Sequence, residues 1–254
     1  MCARHQTGAM IKMNAVKKFG NLSLACSLLL CFAKIAIAQE TRSMAESPGV
    51  LAGRYEKALA RNPNDDQALE KLHFLIARDG PFSRDERIRL KQLIQQYTRQ
   101  AQTTVAPPDE PGEPMVVSGT VRNAGGKPIA GALIYVFHAD ARGHYAPDAP
   151  MDEPGSRLFG FMKTGADGRY EFCTIRPGGY PHAPIPQHIH MTVTAAGYRE
   201  HKCRSTCQLV FADDPRMTAK WHQWAKKDGN PVLSVIRDKD GIQRGVYDIV
   251  LRRD

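Results

Sequence analysis

The sequence predicts a mainly β protein: an antiparallel β-sandwich preceded by a small three-helix segment and a signal peptide. Three observations carry this. Gly 21 and Pro 17 in 254 residues suit a turn-rich β domain better than a helical bundle. Hydrophobic periodicity changes from helical spacing to alternation near residue 115. The first 38 residues have the charge and apolarity of an export signal.

In that leader, Lys12, Lys17 and Lys18 supply the basic region, and Leu22 to Ala33 the apolar one. Ala36-Ile37-Ala38 is an A-x-A cleavage site, so the mature chain is expected to begin at Gln39. Translation from Met10 or Met13 would keep the same signal, and Cys26 precedes the end of the apolar run, against a lipid anchor. No apolar run of the sequence, this one included, is long enough for a conventional membrane span. The formal net charge is +9. Five basic residues and no acidic ones lie within 1–38, so 30 basic residues face 26 acidic ones after cleavage. No Lys/Arg run interleaved with aromatics remains, which removes the electrostatic footprint of nucleic-acid binding.

Residues 39–105 read as helical. Pro48 starts a first helix with Leu51, Tyr55, Ala58 and Leu59 on one face. Asn62-Pro63-Asn64-Asp65 interrupts it, and Leu69, Leu72, Leu75 and Ile76 stripe a second. Ser83 and Glu86 form a capping box for a third, carrying Leu90, Leu93, Ile94 and Tyr97. These stripes need a partner, either the next domain or a second subunit, the second alternative being a homo-oligomer through the helical segment. No cluster of ligand-type residues lies there. Residues 106–114 read as a Pro-rich linker, and 115–254 as the sandwich.

Strands are expected at Val116–Val121, Ala132–His138, Leu158–Lys163, Arg169–Ile175, His188–Ala195, Gln208–Phe211, Val232–Ile236 and Val246–Leu251, with Gly- and Asp-rich turns between them. Cys203 and Cys207 are spaced to bridge in an oxidising compartment or to remain thiols; C-x-x-x-C with no second pair is a weak zinc signal.

Chemistry-bearing residues concentrate at Gln187-His188-Ile189-His190. On a strand, His188 and His190 share one face while Ile189, Met191 and Val193 take the other. The pair suits a metal, or is simply two surface histidines. Tyr145 closes the turn that begins at Asp140, and Tyr180 follows Pro177-Gly178-Gly179. Tyrosine ligates poorly unless a highly charged cation deprotonates it, so phenolate with imidazole suits ferric iron better than zinc.

The order of these segments resembles the intradiol ring-cleavage dioxygenases, the family of protocatechuate 3,4-dioxygenase and catechol 1,2-dioxygenase. The matching stretches are Ser118-Gly119-Thr120-Val121, Pro128 to Ala132, Ala139 to Tyr145, Thr164 to Phe172 and Thr174 to Pro181. His188-Ile189-His190 and Gln208 to Phe211 complete the match, which runs from 115 to about 215. The resemblance implies one non-haem Fe(III) held by Tyr145, Tyr180, His188 and His190. It also implies a catechol bound as a chelating dianion, one tyrosinate acting as its base, and O2 as co-substrate. The product would be a cis,cis-muconate-type diacid, with Gln208 lining the pocket. Three departures stand out. Ile185 occupies the place of a family arginine, with Arg176 or Arg204 as spatial replacements. The loop from Tyr180 to His188 is short, and Phe137-His138 replaces the family's tryptophan. The turn pattern is shared with transthyretin-like and carboxypeptidase-regulatory-like binding sandwiches, which lack the Tyr–Tyr–His–x–His set. A ferric-binding sandwich without turnover is a third reading.

Overall fold

The computed structural model describes residues 46–77, 82–145, 156–199 and 207–253. The expected signal peptide, Cys26, Cys203 and Arg204 lie outside these residues, as does the side chain of Cys207. Cys173 is an exposed free thiol. No described helix is long and apolar enough to cross a membrane. The chain divides at Ser47, and the unit Pro48–Asp254 carries every helix and strand named below.

Three helices come first: α1 (Pro48–Arg61), α2 (Asp66–Ala77) and α3 (Arg84–Tyr97). Pro48 opens α1 at a position where its missing N–H is harmless. Asp65 precedes α2 and accepts from the Ala68 N–H at 2.9 Å. The capping box of α3 forms as expected: Ser83 Oγ accepts from the Glu86 N–H, and the Glu86 carboxylate accepts from the Ser83 N–H.

Two sheets follow. One is ordered β1 (Gln102–Thr104), β5 (Arg169–Ile175), β2 (Pro114–Asn123), β10 (Gln243–Val246) and β9 (Val235–Arg237), with β11 (Ile249–Leu251) also paired to β2. The other is ordered β4 (Leu158–Lys163), β3 (Leu133–His138), β6 (His188–Thr194), β7 (Cys207–Phe211) and β8 (Val232–Leu233). Their inner faces share one core. Met115, Val117, Val121 and Phe172 meet Ile134, Val136, Met162, Ile189, Met191, Val193, Leu209 and Phe211. The alternation within β6 is as expected, with Ile189, Met191 and Val193 inward and the histidines outward.

Four expectations need correction. The sheets are mixed: β1 with β5, β2 with β10 and with β11, and β7 with β8 pair in parallel. The supposed end of the helical segment is β1, Val105 and Ala106 are in the core, and Glu110 of the expected linker is tied to Arg157. The expected strand Val232–Ile236 splits at Ser234, because β8 pairs with β7 while β9 pairs with β10 in the other sheet. Similarly, Val246–Leu251 divides between β10 and β11. A fourth helix, α4 (Ala219–Asp228), links β7 to β8. It was readable from Gly229, whose φ of 75° makes a left-handed cap.

The helical stripes find their partner in this same chain. Leu59, Leu69, Leu72, Ile76, Leu90 and Ile94 bury against Leu133, Tyr135, Phe159 and Phe161 on the outer face of β3 and β4. Of the two expected partners, these stripes thus meet the next domain. Inside this layer Glu70 is 2% exposed and accepts from the Ser156 N–H at 3.1 Å. Burial pushes its carboxyl up to about 7, against the opposing Ser156 N–H and nearby Lys71.

Two stability outcomes follow from this layer. Leu72 has no exposed surface, so Leu72→Ala should cost about 2–5 kcal/mol in denaturant unfolding. Glu70 binds its proton more tightly folded than unfolded. Its contribution is therefore fully present below the ordinary value of 4.5 and lost as pH rises through about 7. Glu70→Gln should flatten the fall in melting temperature between those pH values; an unchanged slope would exclude Glu70 as its source.

Candidate metal centre

The two histidines lie on the outer face of the second sheet, on a strand flanked by β3 and β7. His190 is opposite Phe137 on one side and Gln208 on the other. Directly opposed residues share a face, so Phe137, His190 and Gln208 form a row across three strands. Phe137 stacks on the His190 ring at 4.5 Å and 9°. Phe137 in turn meets Phe74 of α2 at 6.3 Å, so the helical layer stands one aromatic ring behind His190.

The tyrosines arrive on two turns that interlock through backbone. Asp140 organises the first: its Oδ1 accepts from the Arg142 and His144 N–H groups, both at 2.9 Å. Its backbone carbonyl accepts from Gly143 of the same turn and from Gly178 of the other, at 3.0 and 2.8 Å. A Cβ on Gly178 would lie 2.3 Å from the Ala141 carbonyl oxygen. A Cβ on Gly143, whose φ is +87°, would lie 2.3 Å from that of Gly179. Only glycine permits backbones this close, and the closeness sets Tyr145 beside Tyr180.

Four polar atoms consequently converge. Tyr145 Oη and Tyr180 Oη are 2.5 Å apart. His190 Nε2 is 2.8 Å from Tyr145 Oη, and His188 Nε2 is 3.1 Å from Tyr180 Oη. The imidazole rings stand edge to face at 4.8 Å. His188 Nδ1 is 2.8 Å from the Pro186 carbonyl, which can only accept. The proton therefore sits on Nδ1, and Nε2 presents its lone pair to the tyrosines. His190 Nδ1 is buried with no hydrogen-bond partner among the described residues.

Burial keeps both imidazoles neutral. It lowers His188, and lowers His190 to about 3 with help from neighbouring His188 and His138. Burial also pushes both phenols up. For Tyr145 the hydrogen bond to Tyr180 adds to the rise, whereas for Tyr180 the bond to Tyr145 opposes it. A multivalent cation among these atoms would reverse the phenol preference and take the imidazole lone pairs directly. Among the described residues no three His, Cys, Asp or Glu side chains gather as a metal site. The donor set is thus two imidazoles and two phenols, which fits a hard trivalent cation. His138 is not part of it: its Nδ1 is 2.7 Å from the Ala139 carbonyl and its Nε2 is 2.5 Å from Thr174 Oγ1.

Every expected ligand is therefore brought together, and Gln208 lies beside them. Of the two expected replacement cations, Arg204 lies outside the described residues, and Arg176 is occupied elsewhere, bonded to Gln187 and Gln243, ion-paired with Asp213, and lying over the Phe211 ring. Among the described residues the guanidinium bonded to Ile185 is that of Arg216, whose Nη1 donates to the Ile185 carbonyl at 3.2 Å. No sequence motif marked it, because its placement depends on the turn after β7.

A family model described as Dioxygenase matches residues 92–253. The chain belongs to the intradiol ring-cleavage dioxygenase family. It is 32% identical over 151 residues to catechol 1,2-dioxygenase 1 of Acinetobacter lwoffii, covering 53% of this chain and 46% of that protein. It is 39% identical over 114 residues to the protocatechuate 3,4-dioxygenase beta chain of Burkholderia cepacia, covering 41% and 47%. The chain thus aligns with about half the length of these relatives. The crystal structure of catechol 1,2-dioxygenase from Pseudomonas arvilla C-1 shares the fold, with a TM-score of 0.50 at 21% identity over 93% of this chain and 87% of that one.

The glycine interlock yields a direct test. Gly178→Ala should push the Asp140 turn away and part the two phenols. Metal affinity should fall at least about tenfold, since a ligand set held 1 Å out of place loses its preorganisation. Isothermal titration of the metal-free variant with ferric ion as a soluble chelate measures this. Wild-type affinity would show that the interlock does not position the tyrosines.

Proposed function

We propose that this chain is an exported, non-haem Fe(III)-dependent intradiol dioxygenase. It would open catechol-type rings between the two hydroxyl-bearing carbons, using O2, to give cis,cis-muconate-type diacids. The observation that carries this reading is the convergence of Tyr145, Tyr180, His188 and His190 on one point of the outer sheet face. Membership of the family supports it. A binding sandwich that shares only the turns has no reason to gather these four side chains.

The four residues would hold the iron through two phenolate oxygens and two Nε2 atoms. Ferric iron, when bound, supplies the Lewis acidity that draws electron density from a chelating catecholate and readies it for O2. The protein's share is positioning and proton handling. The Pro186 carbonyl fixes the His188 tautomer, and stacking on Phe137 fixes the plane of His190. Tyr145 or Tyr180 could hold the catechol proton at its Oη and still hydrogen-bond its neighbour. Gln208, opposite His190, would line the pocket as a neutral hydrogen-bonding group. With the Arg216 guanidinium turned to the Ile185 carbonyl and Gly179, the Phe137 and Ile185 side chains would leave an apolar wall, favouring uncharged catechols, including alkylated or lignin-derived ones, over protocatechuate.

Purified protein should carry about one iron per chain and absorb visible light through tyrosinate-to-ferric charge transfer. His188→Ala and His190→Ala should each lose the metal, and Tyr145→Phe or Tyr180→Phe should shift or abolish the band. A colourless, zinc-loaded or metal-free protein from iron-replete cells would overturn the assignment. On substrates, kcat/KM for catechol and 4-methylcatechol should exceed that for protocatechuate, and Ile185→Arg should narrow the gap. An electrostatic contribution of this kind is worth about 10²–10³-fold. Wild-type preference for protocatechuate would refute the apolar wall.

A further inference from the structure

The turn after β7 makes three bonds whose purpose is not explained by the sandwich core. Asp214 is 5% exposed, and its carboxylate bridges two backbone N–H groups, Gln187 at 2.6 Å and Arg216 at 2.7 Å. Arg216 then sends its guanidinium to the Ile185 carbonyl at 3.2 Å. The turn is therefore fastened to the segment entering the strand of His188 and His190.

The same guanidinium lies against Gly179, the residue before Tyr180. A Cβ built on Gly179 would fall 1.8 Å from Arg216 Nη1, 2.6 Å from Cζ and 3.2 Å from Nη2. All three nearest atoms belong to Arg216. The Gly179 backbone lies outside the left-handed region, so an added side chain would meet no backbone strain there but would displace the end of Arg216. One side chain thus contacts both the tyrosine turn and the histidine segment. Tyr180 and His188 are eight residues apart, and their side chains meet at 3.1 Å.

We propose that Arg216 is a positioning residue. By packing on Gly179 and bonding Ile185 it holds the Tyr180 turn in register with His188, and so sets how Tyr180 meets the metal. Its effect on iron rests on the dioxygenase reading above, but its effect on the Tyr180 turn does not. Arg216 acts through Tyr180 and touches neither phenol oxygen nor imidazole among the contacts described.

The test is a double-mutant cycle of Arg216→Ala and Gly179→Ala, with Arg216→Lys as the conservative variant. In metal-free protein, amide hydrogen exchange across residues 179–187 should quicken in each single mutant. In iron-loaded protein, each should move the tyrosinate-to-ferric band and lower kcat by about tenfold to a hundredfold. Arg216→Lys, which keeps one donor for Ile185, should recover part of both. With the guanidinium gone, the added methyl has room, so the double mutant should be no worse than Arg216→Ala. The proposal is overturned if Arg216→Ala leaves exchange and band unchanged, or if the two losses add. Should wild-type protein bind no iron, the dioxygenase reading fails alone, and exchange in metal-free protein still decides the latch.

Discussion

The close approach of two glycine turns is the constraint on which the site depends. Gly178 meets Ala141, Gly143 meets Gly179, and the carbonyl of Asp140 accepts from both turns. Any side chain at Gly143 or Gly178 would put a carbon within 2.3 Å of a carbonyl oxygen. Two phenols that belong to separate connections of the sandwich are thereby set 2.5 Å apart. The histidines need no such device. Strand geometry alone puts them on one face, and the inward residues of β6 anchor that strand in the core. The site is thus half rigid strand and half interlocked turn.

Burial then gives the four groups their chemistry. Both imidazoles are kept neutral and both phenols protonated while no cation is present. Such a site holds its lone pairs ready for a cation. Asp140, which organises the tyrosine turn, behaves in the opposite way. Burial alone would raise its carboxyl, but N–H groups of His144 and Arg142 and the Arg142 guanidinium together hold it below its ordinary value. Its contribution to stability is therefore present above about 3.8 and lost as pH falls through its lower folded value. At neutral pH the turn keeps its full strength.

Much of this was legible in the sequence, and the rest was hidden for physical reasons. Alternation in His188–Thr194 marked which residues face the core, and the H-x-H spacing put both histidines on the other face. The Ser83–Glu86 box marked the start of α3. Local signals failed where pairing is decided at long range. Gln102–Thr104 carries no alternation and becomes β1 only because β5 offers an open edge. Val232–Ile236 reads as one strand, yet its halves pair in different sheets. Arg176 was a reasonable replacement for the cation absent at Ile185, and lost that role to Asp213, Gln187 and Gln243. Arg216 carries no signature, since its position follows from the buried carboxylate of Asp214. The helical stripes were read correctly as needing a partner, but which partner is a question only the outer face of β3 and β4 could answer.

The central claim is that two phenolate oxygens and two imidazole nitrogens from this chain share one iron. Iron K-edge X-ray absorption of the purified protein tests it most directly. The account predicts ferric iron with light-atom oxygen and nitrogen neighbours and multiple-scattering features from two imidazoles, and no protein-bound iron edge in His190→Ala. A sulfur shell, or a spectrum without imidazole scattering, would contradict it.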